Sequence, residues 1–222
     1  MTEQTDKRML VVREAFRALY SYQLHILSLV RAVATSLPEY RWSGITTEYD
    51  SEDELLESWS PSNLECCVLS GTPTLDPQFQ FYRNRSNEDG RERSPGDELL
   101  VLEFVADDAL ITAHDEEGNP LPMSSVLTGA QTSRSYLRLA LTRCIASSSG
   151  EGKGWDSVWS KIEFANYDWQ ISSWPKGKNP RYHMVYQDLD ESISFDEDTV
   201  IPATKAFVEK ARDILENDAN QH

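Results

Sequence analysis

Carboxylates and histidines are the side chains of this sequence that could carry out catalysis. Asp97 and Glu103 lie at either end of an apolar stretch, a spacing that loosely suggests a nuclease strand holding a divalent cation. The lysine expected two residues after the second acid is missing, because Val105 occupies that position. The other candidates for such a site are Asp107, His114 and His183. A metal-dependent hydrolase whose carboxylates and histidines converge only in the folded chain is therefore one alternative function.

Two further motifs fall short of a known site. Residues 149–155 are glycine-rich and lead into a predicted helix, as a phosphate-binding loop does, but Lys153 is followed by Gly154 and the glycine spacing is wrong. This composition favours a flexible connector. The four histidines show no metal-ligand spacing. The sequence thus predicts neither a bound metal nor a cofactor.

The three cysteines give information on the cellular compartment of the protein and none on catalysis. Their number is odd, so they do not form a disulfide framework. Cys66 and Cys67 are adjacent on a predicted strand and would point to opposite faces; both, and Cys144, are predicted to be buried. There is no signal-peptide pattern and no apolar run long enough to span a membrane. Reduced thiols then predict a cytoplasmic protein.

Acidic charge is the dominant property of the composition. Among 222 residues, 37 Asp and Glu stand against 21 Lys and Arg, a formal net charge of -16. The excess is concentrated in residues 48–57, 107–117 and 188–198, which contain no Lys or Arg. Such surfaces disfavour direct contact with nucleic acids and anionic membranes and favour a protein partner with a basic surface. The simpler interpretation is that the acidity only keeps the protein soluble. The acidic residues predicted to bind the partner are Glu52, Asp53, Glu54, Asp188, Asp190 and Glu191.

One segment, residues 155–186, is locally basic and rich in aromatic side chains. Trp, Tyr and Arg are the residues that most often anchor a partner, so a contact surface or a small-ligand site is predicted here. The alternative is that most of these aromatic rings belong to the core. The residues predicted to contact the partner are Trp174, Lys176, Lys178 and Arg181.

The first element that must position these residues is a helix predicted over residues 6–37. When Gln23 is included, its apolar positions alternate in spacings of three and four, the period of a coiled-coil seam. They are Met9, Val12, Phe16, Leu19, Ile26, Val30, Val33 and Leu37. The stripe widens after Leu24, so the second half is predicted to be buried, whereas the first half is predicted to lie at the surface or on a partner. A homodimer through this helix is one possibility; packing on the chain's own sheet is the other.

The remaining pattern is mostly strands followed by a helix. Strands are predicted at residues 40–47, 64–69, 79–83, 99–105, 167–174 and 182–186, and a hairpin at 109–113 and 121–127. A short helix is predicted at 52–59 and a helical turn at 155–162. Residues 135–146 fit either period, and the helix is favoured. The last helix is predicted over 200–216, capped by Asp198 or Thr199.

This order predicts an α+β fold with an antiparallel or mixed sheet packed by a long N-terminal helix and a C-terminal helix. The chain is predicted to form a single domain, residues 1–222, with a possible internal linker near residues 147–154. The favoured function is a non-catalytic acidic protein-interaction module, such as an adaptor, an immunity-type inhibitor or an assembly subunit. The alternatives are the hydrolase and the small-ligand binding module.

Overall fold

The computed structural model describes residues 3–45, 78–83, 93–106, 133–146, 155–159, 161–176, 180–190 and 195–219. Several expectations lie outside these ranges: the helix at 52–59, the strand at 64–69, the hairpin at 109–127 and the linker at 147–154. The acidic residues Glu52, Asp53, Glu54 and Glu191, and Lys178 of the aromatic segment, also lie outside them.

The first element is a long helix, α1 (Glu3–Ser36). No Pro or Gly interrupts it, and Pro38 follows its end because proline cannot continue a helix. Its two halves differ as the stripe predicts. Ile26 and Leu29 are fully buried, whereas every described side chain in residues 9–18 is exposed.

The described strands form one six-stranded antiparallel sheet in the order β1-β2-β3-β4-β6-β5. The strands are β1 (Arg41–Ile45), β2 (Gln78–Arg83), β3 (Glu98–Val105), β4 (Tyr136–Cys144), β5 (Ser172–Trp174) and β6 (Tyr182–Asp190). A short helix, α2 (Trp155–Trp159), precedes β5, and α3 (Glu197–Ala219) follows β6. All eight residues of β3 are buried, which explains its continuous apolar sequence. The predicted α+β class with an antiparallel sheet is therefore confirmed.

Each face of the sheet belongs to its own hydrophobic core. On one face, alternate residues of β2, β3, β4 and β6 share a buried cluster with the C-terminal half of α1 and with α3. On the other face, the intervening residues share a second cluster with α2 and the segment that follows it. Because a strand side chain alternates between faces, every polar residue of these strands must also fall on one face or the other.

Three sequence-based predictions are wrong in detail. The strand predicted at 167–174 is limited to Ser172–Trp174, and the residues before it form a turn. Residues 135–146 do not form a helix: they form β4, which pairs with β3 on one side and β6 on the other. Leu137, Leu139 and Leu141 share one face, so the two-residue period is the correct one. The last helix begins at Glu197, and the carbonyl of Asp196 accepts the amides of Thr199 and Val200, so the helix starts earlier than the predicted cap.

Candidate functional site

The carboxylate of Glu98, at the start of β3, is the most heavily bonded charge in the part of the chain that the structure describes. Its side chain is fully buried. The Tyr40 hydroxyl donates to it at 2.7 Å, and both Arg83 Nε and Arg212 Nε donate at 3.0 Å. Arg83 also donates to this carboxylate through a second nitrogen, and Arg143 Nη1 donates to it at 3.4 Å. A carboxylate enclosed in this way can hold elements together, but it cannot reach a substrate.

This network links the segment after α1, three strands and α3. Arg143 also bonds Glu216 at 2.8 Å, and Arg212 bonds Glu39 at 3.3 Å. Burial, together with the neighbouring Glu98 charge, raises the pKa of Tyr40, so its hydroxyl stays protonated and remains a donor. The cluster of three guanidinium groups around one carboxylate is therefore a structural hub.

The register of the sheet extends the hub into a polar row. Direct cross-strand partners run from Arg83 through Glu98 and Arg143 to His183 and Ser173, all on the face that α3 shares. His183 is buried, and its Nδ1 lies 2.7 Å from Asp218 Oδ2 at the C-terminal end of α3. The row therefore contacts α3 at three points: Glu98 with Arg212, Arg143 with Glu216, and His183 with Asp218.

A second polar row crosses the opposite face at the other end of the strands. It runs in register through Gln78, Glu103, Arg138 and Asp188. Arg138 makes a two-point contact with Asp188 at 2.7 and 2.9 Å, and its guanidinium lies 4.4 Å from the Phe164 ring centre. Burial acts to lower the pKa of Arg138, but the bond to Asp188 outweighs it, so the pKa is raised and the guanidinium stays charged.

Neither row brings together the residues expected of a hydrolase. Asp97, which directly precedes β3, is buried and accepts the Ser94 amide at 2.8 Å, whereas the Glu103 carboxylate accepts from Gln78 at 2.6 Å near the other end of the strand. Six residues of strand separate the two acids, about 20 Å. Asp107 and His114 lie outside the described residues. Within the described ranges, no three His, Cys, Asp or Glu side chains converge on a position for a metal ion.

The acidic residues predicted to bind a partner have unlike surroundings. Asp188 is part of the row with Arg138 and is half-buried. Asp190, two residues later, is exposed, as are Asp196, Glu197 and Asp198. Most of the described carboxylates in residues 188–198 are therefore exposed, whereas Asp188 forms an ion pair within the sheet.

The aromatic segment is mostly interior. Trp155 and Tyr182 are buried, and Trp174 packs half-buried against the Tyr182 ring at 5.7 Å. Arg181 is half-buried, and its amide donates to the Trp174 carbonyl at 2.9 Å. The basic residue of this group that reaches solvent in the described segment is Lys176, which bonds Glu163 at 2.6 Å.

A groove of about 500 Å³ borders the free edge of β5. Its lining residues are Glu163, Phe164, Ala165, Asn166, Gln170, Ile171, Ser172, Ser173 and Lys176. Its lining is largely amides, hydroxyls and one ion pair, and it lies within the segment predicted to bind a small ligand.

The exposed stretch of α1 is the feature with the largest apolar surface. Met9, Leu10, Val11 and Val12 are 43% to 64% exposed, and Leu24 is 45% exposed. Four consecutive residues point around most of a helix, so this stretch stands clear of the sheet on all sides. We name residues 9–18 the α1 arm.

Sequence reasoning found the arm but missed the hub. The stripe of α1 and its change of width after Leu24 are local signals. Glu98, Arg83, Arg143 and Arg212 carry no such signal, because their pairing depends on strand register and on the placement of α3.

Comparison with known proteins identifies the family of this chain. None of the helices in the described ranges combines the length and apolar content of a membrane span. No curated protein and no solved structure matches the chain. A family model described as PM0109 matches residues 2–216, nearly the whole sequence. The chain therefore belongs to the PM0109 family.

Proposed function

We propose that this chain is a non-catalytic acidic protein-interaction module, an adaptor, inhibitor or assembly subunit, that docks on a basic partner. The observation that carries the proposal is the opposite placement of the two signs of charge. Arg83, Arg143 and Arg212 converge on Glu98, and Arg138 is held by Asp188 and Phe164. Arg93 is 4% exposed and lies over the rings of Trp155 and Tyr182.

Because these arginines are held within the fold, the surface of the protein is more acidic than its composition implies. Outside α1 the chain carries 34 Asp and Glu against 16 Lys and Arg, since α1 holds three acids and five bases. Several of those bases are committed to the two polar rows. Asp190 at the end of β6 and Asp196, Glu197 and Asp198 at the start of α3 are exposed carboxylates. Fields of one sign accelerate docking on a surface of the opposite sign and suppress wrong partners.

Affinity capture with the full chain from its native host, followed by binding measurements on the purified captured protein, tests the proposal. The Debye length falls from ~10 Å at 0.1 M salt to ~3 Å at 1 M, so the Kd is expected to weaken steeply over that range. Asp190→Lys/Asp196→Lys is expected to weaken binding at low salt.

Glu209→Lys/Asp213→Lys is the matched control, since it changes net charge equally. Its residues are exposed and begin about 18 Å along α3 from the first residue of that helix. The control is expected to leave the Kd near that of the parent. A Kd insensitive both to salt and to the first double substitution contradicts the proposal.

The groove beside β5 favours a second candidate, a small-ligand binding module. A site of this volume is within the range of known ligand pockets. Screening polar metabolites by thermal shift, with Ser172→Trp to fill the groove, tests it. A ligand that stabilises the parent and not the filled variant supports this candidate over the first.

A further inference from the structure

The stripe of α1 continues beyond the part of the helix that its own fold covers. Ile26, Val30 and Val33 are at most 3% exposed within the shared core. The same heptad positions recur at Met9 and Val12 in the α1 arm, where the side chains are 44% and 43% exposed. The heptad period therefore continues into the arm, with Gln23 as a polar position between Leu19 and Ile26, while burial of the seam stops before the arm.

An uncovered arm of this kind is costly by itself. Isolated helices shorter than ~12–15 residues are marginal in water, and the β-branched pair Val11 and Val12 lowers helix propensity further. Covering apolar side chains of this size is favourable because it removes apolar surface from water. A partner that follows the seam would provide that burial.

Charge indicates which partner fits. α1 carries a net charge of +2, five bases against three acids, whereas the rest of the chain carries -18. The arm itself presents Arg13, Glu14 and Arg17 to solvent, so it mixes both signs. A second α1 arm can therefore approach without the repulsion that two acidic surfaces would experience.

The same charges favour an antiparallel orientation of the two α1 arms in such a dimer. A parallel pair would place two remainders of charge -18 side by side. In an antiparallel pair centred near Val12, each remainder begins near Ile26, 14 residues from the centre, and the two lie about 40 Å apart. That distance is several times the Debye length of ~8 Å at physiological salt.

We infer that the α1 arm is a self-association site, where a second copy of this chain pairs antiparallel through Met9 and Val12. This inference goes beyond the acidic docking proposal and is independent of it. The symmetric contact closes on itself, so it produces a dimer with the acidic surfaces at opposite ends.

Sedimentation equilibrium and light scattering of the full chain over a range of concentrations test the inference. The expected mass is twice that of the chain. Met9→Glu/Val12→Glu places charge in the seam and is expected to reduce the mass to that of one chain. Val11→Glu is the matched control: it lies beside the same residues, is 64% exposed and falls outside the seam, so the dimer is expected to persist.

Circular dichroism and thermal unfolding separate loss of pairing from loss of folding, because the seam substitutions lie in the exposed arm. Small-angle X-ray scattering tests the orientation, since an antiparallel dimer is elongated with two separated masses. A parent chain that is monomeric throughout, a control that dissociates as readily as the seam variant, or assembly beyond the dimer overturns the inference. A compact dimer overturns the antiparallel orientation.

Discussion

Arg212 of α3 donates through Nε to the buried carboxylate of Glu98 in β3 at 3.0 Å. The two residues are 114 positions apart in the chain. Arg83 and Arg143 bond the same carboxylate, so three guanidinium groups share its charge. Glu216 and Glu39 contact Arg143 and Arg212 from the side, but Glu98 is the fully buried carboxylate that all three arginines contact.

Glu98→Gln is predicted to be strongly destabilising. The amide has the size of the carboxylate but lacks its charge, and breaking a buried ion pair from one side costs ~3–5 kcal/mol. Urea unfolding followed by tryptophan fluorescence measures the loss. Glu163→Gln is the control, since the exposed Glu163–Lys176 pair is worth ~1 kcal/mol or less.

A milder substitution keeps this prediction testable if Glu98→Gln does not fold. Tyr40→Phe removes one hydroxyl that donates to Glu98 and leaves the arginines in place. A buried bond to a charged group is worth ~1.5–3 kcal/mol, which a stable domain tolerates. Equal stability of Tyr40→Phe and the parent would mean that the hub is not formed in solution.

The sequence predicted the elements whose signals are local. The continuous apolar run of β3 and the uninterrupted stripe of α1 each point to one secondary structure. β4 was misassigned because Leu137 and Leu141 satisfy a helical period as well as an alternating one. The β3 and β6 backbones on either side decide between them, and Arg138 is acceptable in a buried strand because Asp188 lies opposite.

The polar rows lay beyond sequence reasoning for a related reason. The partners of Glu98 are between 15 and 114 residues away, and only strand register and helix placement bring them together. Asp188 and Asp190 look equivalent within one acidic run. Both lie on the same face of β6, but Asp188 is opposite Arg138, whereas Asp190 is the last residue of the strand and lies opposite Tyr136.

The Arg138–Asp188 pair is predicted to contribute a coupling energy of about 1–3 kcal/mol, because its contact is two-point and both partners are largely shielded. A double-mutant cycle with Arg138→Ala and Asp188→Ala, followed by urea unfolding, measures it. Coupling below ~0.5 kcal/mol would show that the two substitutions act independently. Substitutions of Asp188 in binding experiments must therefore be corrected for stability.

Alkaline pH is predicted to destabilise the fold partly through Cys144. Burial, with the nearby Asp97 charge, raises the pKa of this thiol from 9.0 to about 11. A raised folded-state pKa means that the contribution is fully present below pH 9.0 and is lost as pH rises toward 11.

Cys144→Ala tests that prediction against the parent. Removing the buried sulfur lowers the free energy of unfolding at every pH, but the variant lacks the thiol that ionises. Its stability is therefore expected to fall less steeply between pH 9.0 and about 11. Parallel pH profiles for the two proteins would show that Cys144 does not contribute to the alkaline loss.

Trp169→Gly is predicted to destabilise the protein even though it relieves backbone strain. Trp169 has a φ of 64°, a left-handed conformation that costs a residue with a side chain ~1–2 kcal/mol and glycine nothing. Against this gain, its ring packs 5.4 Å from that of Phe207 and 3.6 Å from Lys210 Nζ.

The free energies of these contributions determine whether Trp169→Gly stabilises or destabilises the protein. Burial of a large side chain is worth ~1.5–3 kcal/mol, the aromatic pair ~0.5–1.5 and the cation–π contact ~0.5–1, which together exceed the strain. Lys210→Ala removes only the last contribution and is expected to cost ~1 kcal/mol or less. A Trp169→Gly variant more stable than the parent in urea would mean that strain outweighs ring packing at this position.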